Sequence, residues 1–390
     1  MTTKKRLLAV GPGNPSTGFG RVFRSILEPL CDTFLIIHFS PNLLEAPPDS
    51  PYVVLPRQIR GDVFGREHLP QLLADYDPDF VLLFHDPPFY SVHREAIQVR
   101  KTVTGGRPFV AFYCPIEWEN IPPGTLQEMA DLDALVLYNQ FGSDVVRQAF
   151  GDCPMPPTHI IPHGVDLSAF YPHDGGQLAA RQQLFPDRPD LENAFIVLNA
   201  NRNCPRKQIE LTLRGFALFA RQHSDVWLYL HMGTKDSGCD VLALAAELGI
   251  EKRLLMSHRR PTESNPSGAE TTGHPNVSDA ELNLIYNACD VGLNTSAGEG
   301  WGLVAFEHAA TGAPQIVPDH SACREHWQGR GVLIPLANGL VTPQATAMAI
   351  ERLYQDSDLR MSLGQAGREY ANNPAFRWPT IAEQWRQLLN

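Results

Sequence analysis

The sequence predicts an α/β protein built from two Rossmann-like, doubly wound domains. Three observations lead there. At 390 residues the chain is longer than one ordinary core accommodates. Short continuous apolar runs alternate with amphipathic stretches, the pattern of parallel strands joined by helical crossovers. That alternation comes in two consecutive series, with a stretch rich in Pro, Gly and Asp between them.

In the first series "RLLAV", "FLIIHF", "FVLLFHD", "PFVAFYC" and "ALVLYN" read as buried strands. The basic residues before "LLAV" imitate the start of a secretion signal. The apolar run is short, however, and ends in a Gly/Pro loop, so it reads as a first strand. In the second series the strands are "FIVLNAN", "VWLYLHMG", "RLLMSH", "DVGLNTS", "APQIVP" and "GVLIP", with helices such as "QIELTLRGFALFARQ" and "DVLALAAELG" between them. The join falls in "PHGVDLSAFYPHDGGQ", 162–177. The expected division is an N-terminal domain over 1–165, a linker over 166–192, a C-terminal domain over 193–374 and a closing helix over 375–390. That helix, "RWPTIAEQWRQLLN", is amphipathic with two tryptophans and is expected to cross back to the first domain. The polar, breaker-rich segment 259–279 reads as a long loop, either functional or an insertion without a role.

Composition narrows the function. A hydrophobic content of 43% and a charged content of 19% are those of a soluble globular protein. No apolar run reaches the roughly 18 residues of a membrane helix. A net charge of −11, with neither half basic, speaks against nucleic-acid partners and a polybasic membrane patch. Seven cysteines without a C-x-x-C pair suggest reduced thiols in a cytoplasmic protein.

Ligands of open parallel sheets bind beyond the C-terminal ends of the strands. After "LLAV" comes "GPGNPSTGFGR", with Gly11, Gly13, Gly18 and Gly20, either an anion-cradling loop or a plain tight turn. After "FIVLNAN" comes "NRNCPRKQ", where Arg202, Arg206 and Lys207 suit a diphosphate, the alternative being a solvated charge run. After "DVGLNTS" comes "AGEGWGLVAFEHAA". A helix starting near Gly302 would aim the amides of Gly302, Leu303 and Val304 at an anion. Glu299 lies just before it and Glu307 in its second turn; phosphate would repel both, so hydroxyl groups are their natural ligands. His85 and Asp86 end "FVLLFHD" and either bind a polar ligand or satisfy each other. Glu117, Trp118 and Glu119 end another strand, with Trp118 either a packing residue or a sugar platform. The "DYD", "DPD" and "DLD" pairs precede strands, where Asp caps turns, and are not read as a metal site.

With these residues in view, the chain resembles a GT-B glycosyltransferase of family 4, the retaining nucleotide-sugar transferases. "SAGEGWGLVAFEHAATGAP" resembles the family's E-x7-E segment. "NRNCPRKQIEL" resembles its Arg…Lys element, and "IPHGVDLSAF" and "SDAELNLIYNACDVGLNTS" resemble the flanking segments. The resemblance implies two Rossmann-like domains facing across a cleft. The acceptor would bind mainly the first domain and a UDP- or GDP-linked sugar the second. It implies that Arg202 and Lys207 contact the diphosphate, Glu299 the donor sugar and Glu307 the ribose. Gly300, Trp301, Gly302, Leu303 and Val304 complete the donor site, with the Gly18–Gly20 loop closing over the diphosphate. The base would lie near Met256, His258 and Val277. His85 and Asp86 would orient a group or accept a proton, and Glu117 and Trp118 would face a soluble carbohydrate or glycoside acceptor. No metal and no prosthetic group are implied.

Two other classes fit less well. A nicotinamide-dependent oxidoreductase needs G-x-G-x-x-G after a strand and an acid about 20 residues on; the loop spacing fails and "FLIIHFS" ends without one. A non-catalytic sugar-nucleotide binder of the same fold is the other; the acids and cations present argue against a dead site.

Overall fold

The computed structural model describes residues 4–14, 17–257, 275 and 277–390. They form two compact units, Met1–Gly164 with Pro374–Asn390, and Val165–Asn373.

The first unit runs β1 (Lys5–Val10), α1 (Gly18–Leu30), β2 (Phe34–Ser40), β3 (Val53–Pro56), α2 (Leu69–Tyr76), β4 (Phe80–Phe84), α3 (Pro88–Thr104), β5 (Phe109–Tyr113), β6 (Ala134–Leu137), α4 (Gln140–Phe150) and β7 (Thr158–Ile160). Its seven strands are parallel, in the order β3-β2-β1-β4-β5-β6-β7. The central strands are apolar along their whole length because helices cover both faces; β4, for example, is buried throughout. The Asp-rich turns anchor the opposite, N-terminal edge of this sheet. Asp79 accepts the Arg6 amide at 2.8 Å, and Asp133 accepts the Val110 amide at 2.7 Å. Asp77 pairs with Arg6 and Arg100, Asp131 with Arg94, and Asp133 with Lys101.

The second unit runs α5 (Gly176–Leu184), β8 (Phe195–Asn199), α6 (Ile209–Ala220), β9 (Val226–Leu230), α7 (Val241–Leu248), β10 (Leu254–Met256), α8 (Asp279–Ala288), β11 (Val291–Leu293), α9 (Leu303–Ala310), β12 (Gln315–Pro318), α10 (Ser321–Trp327) and β13 (Val332–Ile334). A small hairpin, β14 (Leu336–Ala337) and β15 (Leu340–Val341), precedes α11 (Pro343–Gln355) and α12 (Ser357–Ala371). Its six-stranded sheet is parallel, in the order β10-β9-β8-β11-β12-β13. In both sheets the winding direction reverses once, between β1 and β4 and between β8 and β11. Such reversal points are where doubly wound sheets open a binding crevice.

The final helix, α13 (Trp378–Leu388), returns to the first unit. Trp385 is buried with its ring 5.1 Å from that of Tyr113, and Arg386 donates to the Pro29 carbonyl at 2.5 Å. Residues 166–192 fall within the second unit. Arg181 on α5 is buried; it donates to the Ala288 and Glu192 carbonyls at 2.9 Å and pairs with Asp290 at 2.6 Å. Asp290 in turn accepts the Ile196 amide at 2.6 Å, so the guanidinium ties α5 to the entry of β8. Among the described residues no helix is long and apolar enough to cross a membrane.

Removing one member of a buried ion pair strands the other, at a cost of about 3–5 kcal/mol. Arg181→Ala is therefore expected to destabilise the chain by that order in urea titrations, although it lies in a segment that the sequence marks as a connector.

Candidate functional site

The candidate site forms where the second sheet reverses, at the C-terminal ends of β8 and β11. After β8 the chain makes a short 3-10 turn at Pro205–Lys207, and Gln208 then takes a left-handed φ of 50° before α6 begins. This turn presents Arg206 and Lys207. After β11, residues 294–301 lead into α9. Its N-cap, Gly302, has a φ of 90°, a region glycine enters without strain, and no side chain caps the helix. The amides of Leu303 and Val304 at the start of the helix therefore have no side-chain cap.

The two loops are held together by charge. Glu299 is buried. One carboxylate oxygen is paired with Lys207 Nζ, and the other lies 3.6 Å from Arg206 Nη1. Arg206 also donates to the Gly298 carbonyl at 2.7 Å, while its own carbonyl accepts the Ala297 amide at 2.8 Å. Asn294 and Ser296 approach the Lys207-bound oxygen at 3.4 and 3.5 Å. Burial pushes the Glu299 carboxyl upward, but Lys207 and Arg206 outweigh it and hold the group down at about 2.

A third strand end fixes the backbone of this acid. The Glu299 amide donates to Ser321 Oγ at 3.2 Å and its carbonyl accepts the Ala322 amide at 3.2 Å. His320 Nε2 lies 2.9 Å from the Ser296 carbonyl, so that nitrogen carries the proton. Its Nδ1 is then an acceptor for the Ser321 hydroxyl, 2.7 Å away. Ser321 holds a left-handed φ of 48°, a conformation that costs a non-glycine residue roughly 1 kcal/mol or more. Below the loops, Thr212 on α6 accepts from the Asn199 amide group at 2.9 Å and lies 2.7 Å from the Thr295 hydroxyl, joining β8, α6 and β11.

The other expected residues fall as follows. Arg202 does not join this cluster; its guanidinium is largely exposed and forked onto Asp236 at 2.6 and 3.1 Å. Glu307 is buried in the second turn of α9, where the buried Tyr286 hydroxyl donates to it at 2.9 Å. Gly300 and Trp301 are buried, and the Trp301 ring stacks on Phe306 at 4.7 Å; Gly302, Leu303 and Val304 are half-buried. A small cavity bordered by Asn201, Asn294, Gly302, Val304 and His308 lies at these strand ends. Met256 belongs to the buried core of the second unit and Val277 is half-buried. His258, and most of the segment 259–279, lie outside the described residues.

In the first unit Gly18 and Gly20 form the first turn of α1. Thr17 caps that helix by accepting the Gly20 amide at 3.1 Å, and a Cβ on Gly20 would stand 1.9 Å from the Asn14 carbonyl oxygen. His85 stacks on Phe89 at 4.6 Å, and its Nδ1 accepts the Asp86 amide at 2.8 Å, which leaves Nε2 as the protonated nitrogen. Partial burial lowers its pKa against the pull of Asp86. Asp86 is exposed, Glu117 is half-buried and Trp118 is 49% exposed, so its ring is not a core residue. Among the described residues no group of three or more His, Cys, Asp or Glu could hold a metal ion.

Sequence reasoning missed the contributions of Asn294, Ser296, His320, Ser321 and Tyr286. The one available signal was position: "LNTS" and "VPDHS" place polar residues directly after apolar strands.

Residues 196–356 match the family model described as Glycosyl transferases group 1. The D-inositol 3-phosphate glycosyltransferase of Salinispora tropica is 26% identical over 268 residues, covering 65% of this chain and 50% of that protein. That of Corynebacterium glutamicum is 32% identical over 154 residues, covering 38% and 30%. The chain spans about half the length of the Salinispora relatives it matches. Over nearly its whole length it is similar in fold to solved structures. Sucrose-phosphate synthase from Thermosynechococcus elongatus gives a TM-score of 0.72 at 20% identity, covering 98% of each chain. Anabaena HepE in complex with UDP-glucose gives 0.73 at 17% identity, covering 98% of this chain and 99% of that one. The fold is of the GT-B class, and the second unit is related to the group 1 glycosyl transferases.

Lys207→Met is expected to destabilise the chain by about 3 kcal/mol near neutrality, because it leaves a buried carboxylate without its closest cation. The folded pKa of Glu299 is depressed from its ordinary 4.5 to about 2. Its stabilisation is therefore complete above about pH 4.5 and lost as pH falls towards 2. The gap between wild type and Lys207→Met in urea melts should narrow over that interval; a gap independent of pH would contradict the pairing.

Proposed function

We propose that the protein is a retaining glycosyltransferase that moves a hexose-type sugar from a UDP- or GDP-linked donor to an acceptor hydroxyl, without a divalent metal. The observation that carries this reading is the buried Glu299, neutralised by Lys207 and Arg206, beside the uncapped start of α9. One carboxylate beside two cations and a row of amides suits a ligand bearing both phosphates and hydroxyls. The matches to glycosyl transferases support it, and HepE was solved with UDP-glucose.

In this reading Lys207 and the amides at Gly302–Val304 face the diphosphate, and Arg202 reaches it by exchanging Asp236 for a phosphate oxygen. Gly300 and Trp301 shape the turn, Glu299 accepts from the donor sugar's hydroxyls, and Glu307 accepts from the ribose. Cleavage of the glycosidic bond builds negative charge on the leaving diphosphate. Fixed cations and helix amides stabilise that charge more strongly in the transition state than in the ground state. The departing phosphate takes the acceptor proton during attack on the same face, which retains the anomeric configuration. For the acceptor we assign the first unit, where His85 Nε2–H is a hydrogen-bond donor, Asp86 an acceptor and Trp118 an open ring. A small polyol or carbohydrate is the acceptor class, in keeping with the relatives' name. We place the protein in a reducing, cytoplasmic setting, which suits seven cysteines without a C-x-x-C pair.

The reading is tested by thermal stability against UDP, GDP, ADP and their sugar conjugates. A ligand at a hundredfold excess over its Kd adds about 2.7 kcal/mol. One base is expected to raise the melting temperature, and Lys207→Ala to abolish the shift. Glu299→Gln is expected to keep nucleotide binding and lose sugar transfer by two or more orders of magnitude. A chain that responds to none of these ligands does not have this function.

A further inference from the structure

Arg202 and Asp236 pair across two loops that other contacts already join. Arg202 follows β8, and Asp236 lies in the loop after β9. The guanidinium forks onto the carboxylate, with Nε on one oxygen at 2.6 Å and Nη2 on the other at 3.1 Å. The Arg202 side chain remains 65% exposed and that of Asp236 25%. The loops themselves are locked by the next residue. Asn203 is fully buried; its Nδ2 donates to the Gly233 and Cys239 carbonyls at 3.1 and 2.8 Å, and its Oδ1 accepts the Cys239 amide at 3.1 Å. Its carbonyl accepts the Gly238 amide at 3.1 Å, and a Cβ on Gly238 would stand 2.1 Å from Asn203 Oδ1. These bonds hold both backbones in register, so the ion pair can open while the loops keep their place.

A carboxylate and a phosphate offer a guanidinium the same pair of acceptor oxygens. We propose that Asp236 stands in for the second phosphate of the donor and sets how strongly the site prefers two phosphates to one. The proposal rests on the placement of the donor diphosphate at Lys207 and Arg202. Lys207 is fixed within the Glu299 cluster and serves one phosphate whether or not another is present. Arg202 stands outside that cluster, held by Asp236, so only a second phosphate draws it away. An exposed ion pair is worth at most about fivefold in an equilibrium constant, so the exchange weakens diphosphate binding by that order and leaves monophosphate binding untouched. In a transferase whose leaving group is the diphosphate, the weaker hold favours product release.

The test is calorimetric binding of UMP against UDP and of GMP against GDP. The full chain is used as wild type, Asp236→Asn, Arg202→Ala and the double variant. Asp236→Asn is expected to tighten diphosphate binding about threefold to fivefold, with monophosphate affinity unchanged. Arg202→Ala should cut diphosphate affinity by about tenfold, the scale of hydrogen bonds to a charged group, and in that background Asp236→Asn should add nothing. The cycle separates the pair from the other contacts of Asp236, which include the Ser237 amide at 2.7 Å. Diphosphate affinity that is unchanged or weaker in Asp236→Asn overturns the role of Asp236, and so does a gain that persists without Arg202; a loss in Arg202→Ala then leaves the donor site standing. Diphosphate affinity that survives Arg202→Ala overturns the placement at Arg202 and this proposal with it. A wild type that binds none of these nucleotides overturns the donor site itself.

Discussion

A buried carboxylate must be paired, and in the second unit that requirement makes three separate strand ends into one object. Glu299 follows β11, Arg206 and Lys207 follow β8, and Ser321 follows β12. None of these loops can shift alone without leaving a charge or an amide unpaired in the interior, where such groups cost several kcal/mol. Two strained positions flank the same point. Gln208 and Ser321 hold left-handed φ values, in the loops that carry Lys207 and the Glu299 amide acceptor. Strain of this kind persists where surrounding contacts over-determine the backbone. Here the contacts are the Lys207 and Arg206 pairs and the His320–Ser321 relay.

The central strands of both sheets were legible because burial on two faces leaves no polar residues to interrupt them. The same logic explains what was not. β3 and β7 close the edges of the first sheet; both are short and partly exposed, β3 ending at Pro56 and β7 carrying Thr158 and His159. Runs of three or four residues are too short for apolar continuity to mark. The return of α13 was legible from its two tryptophans, since a surface helix with rings on one side needs a surface to cover. The place of residues 166–192 was not. Their attachment is carried by Arg181 meeting Asp290, 109 residues later, and a single long-range ion pair leaves no periodic trace.

Within the candidate site, the acids, the glycines and Lys207 stood out because charged residues and glycines right after apolar strands are uneconomical unless they bind something. Which cation reaches Glu299 was decided by turn geometry. The 3-10 turn at Pro205–Lys207 rotates Arg206 and Lys207 towards the acid, while Arg202, three residues before that turn, is captured by Asp236. Tyr286 and Ser321 were illegible for another reason. Their partners lie 21 and 22 residues away across a strand, and neither residue type is unusual in a helix or a loop.

The two acids of one short segment therefore sit in opposite electrostatic settings. Around Glu299, two cations and one carboxylate leave a local excess of one positive charge, already desolvated and held in place by the fold. An anion arriving there meets donors that need no reorganisation, which is the condition under which fixed charges act most strongly on developing negative charge. Glu307, by contrast, accepts from a neutral group, the Tyr286 hydroxyl. The two cations thus offset the repulsion that Glu299 alone would present to an anionic ligand, while the hydroxyl that Glu307 accepts carries no charge. A segment of nine residues with a left-handed glycine between its ends can hold both settings because the loop and the helix that follows it face different neighbours, α6 in one case and α8 in the other.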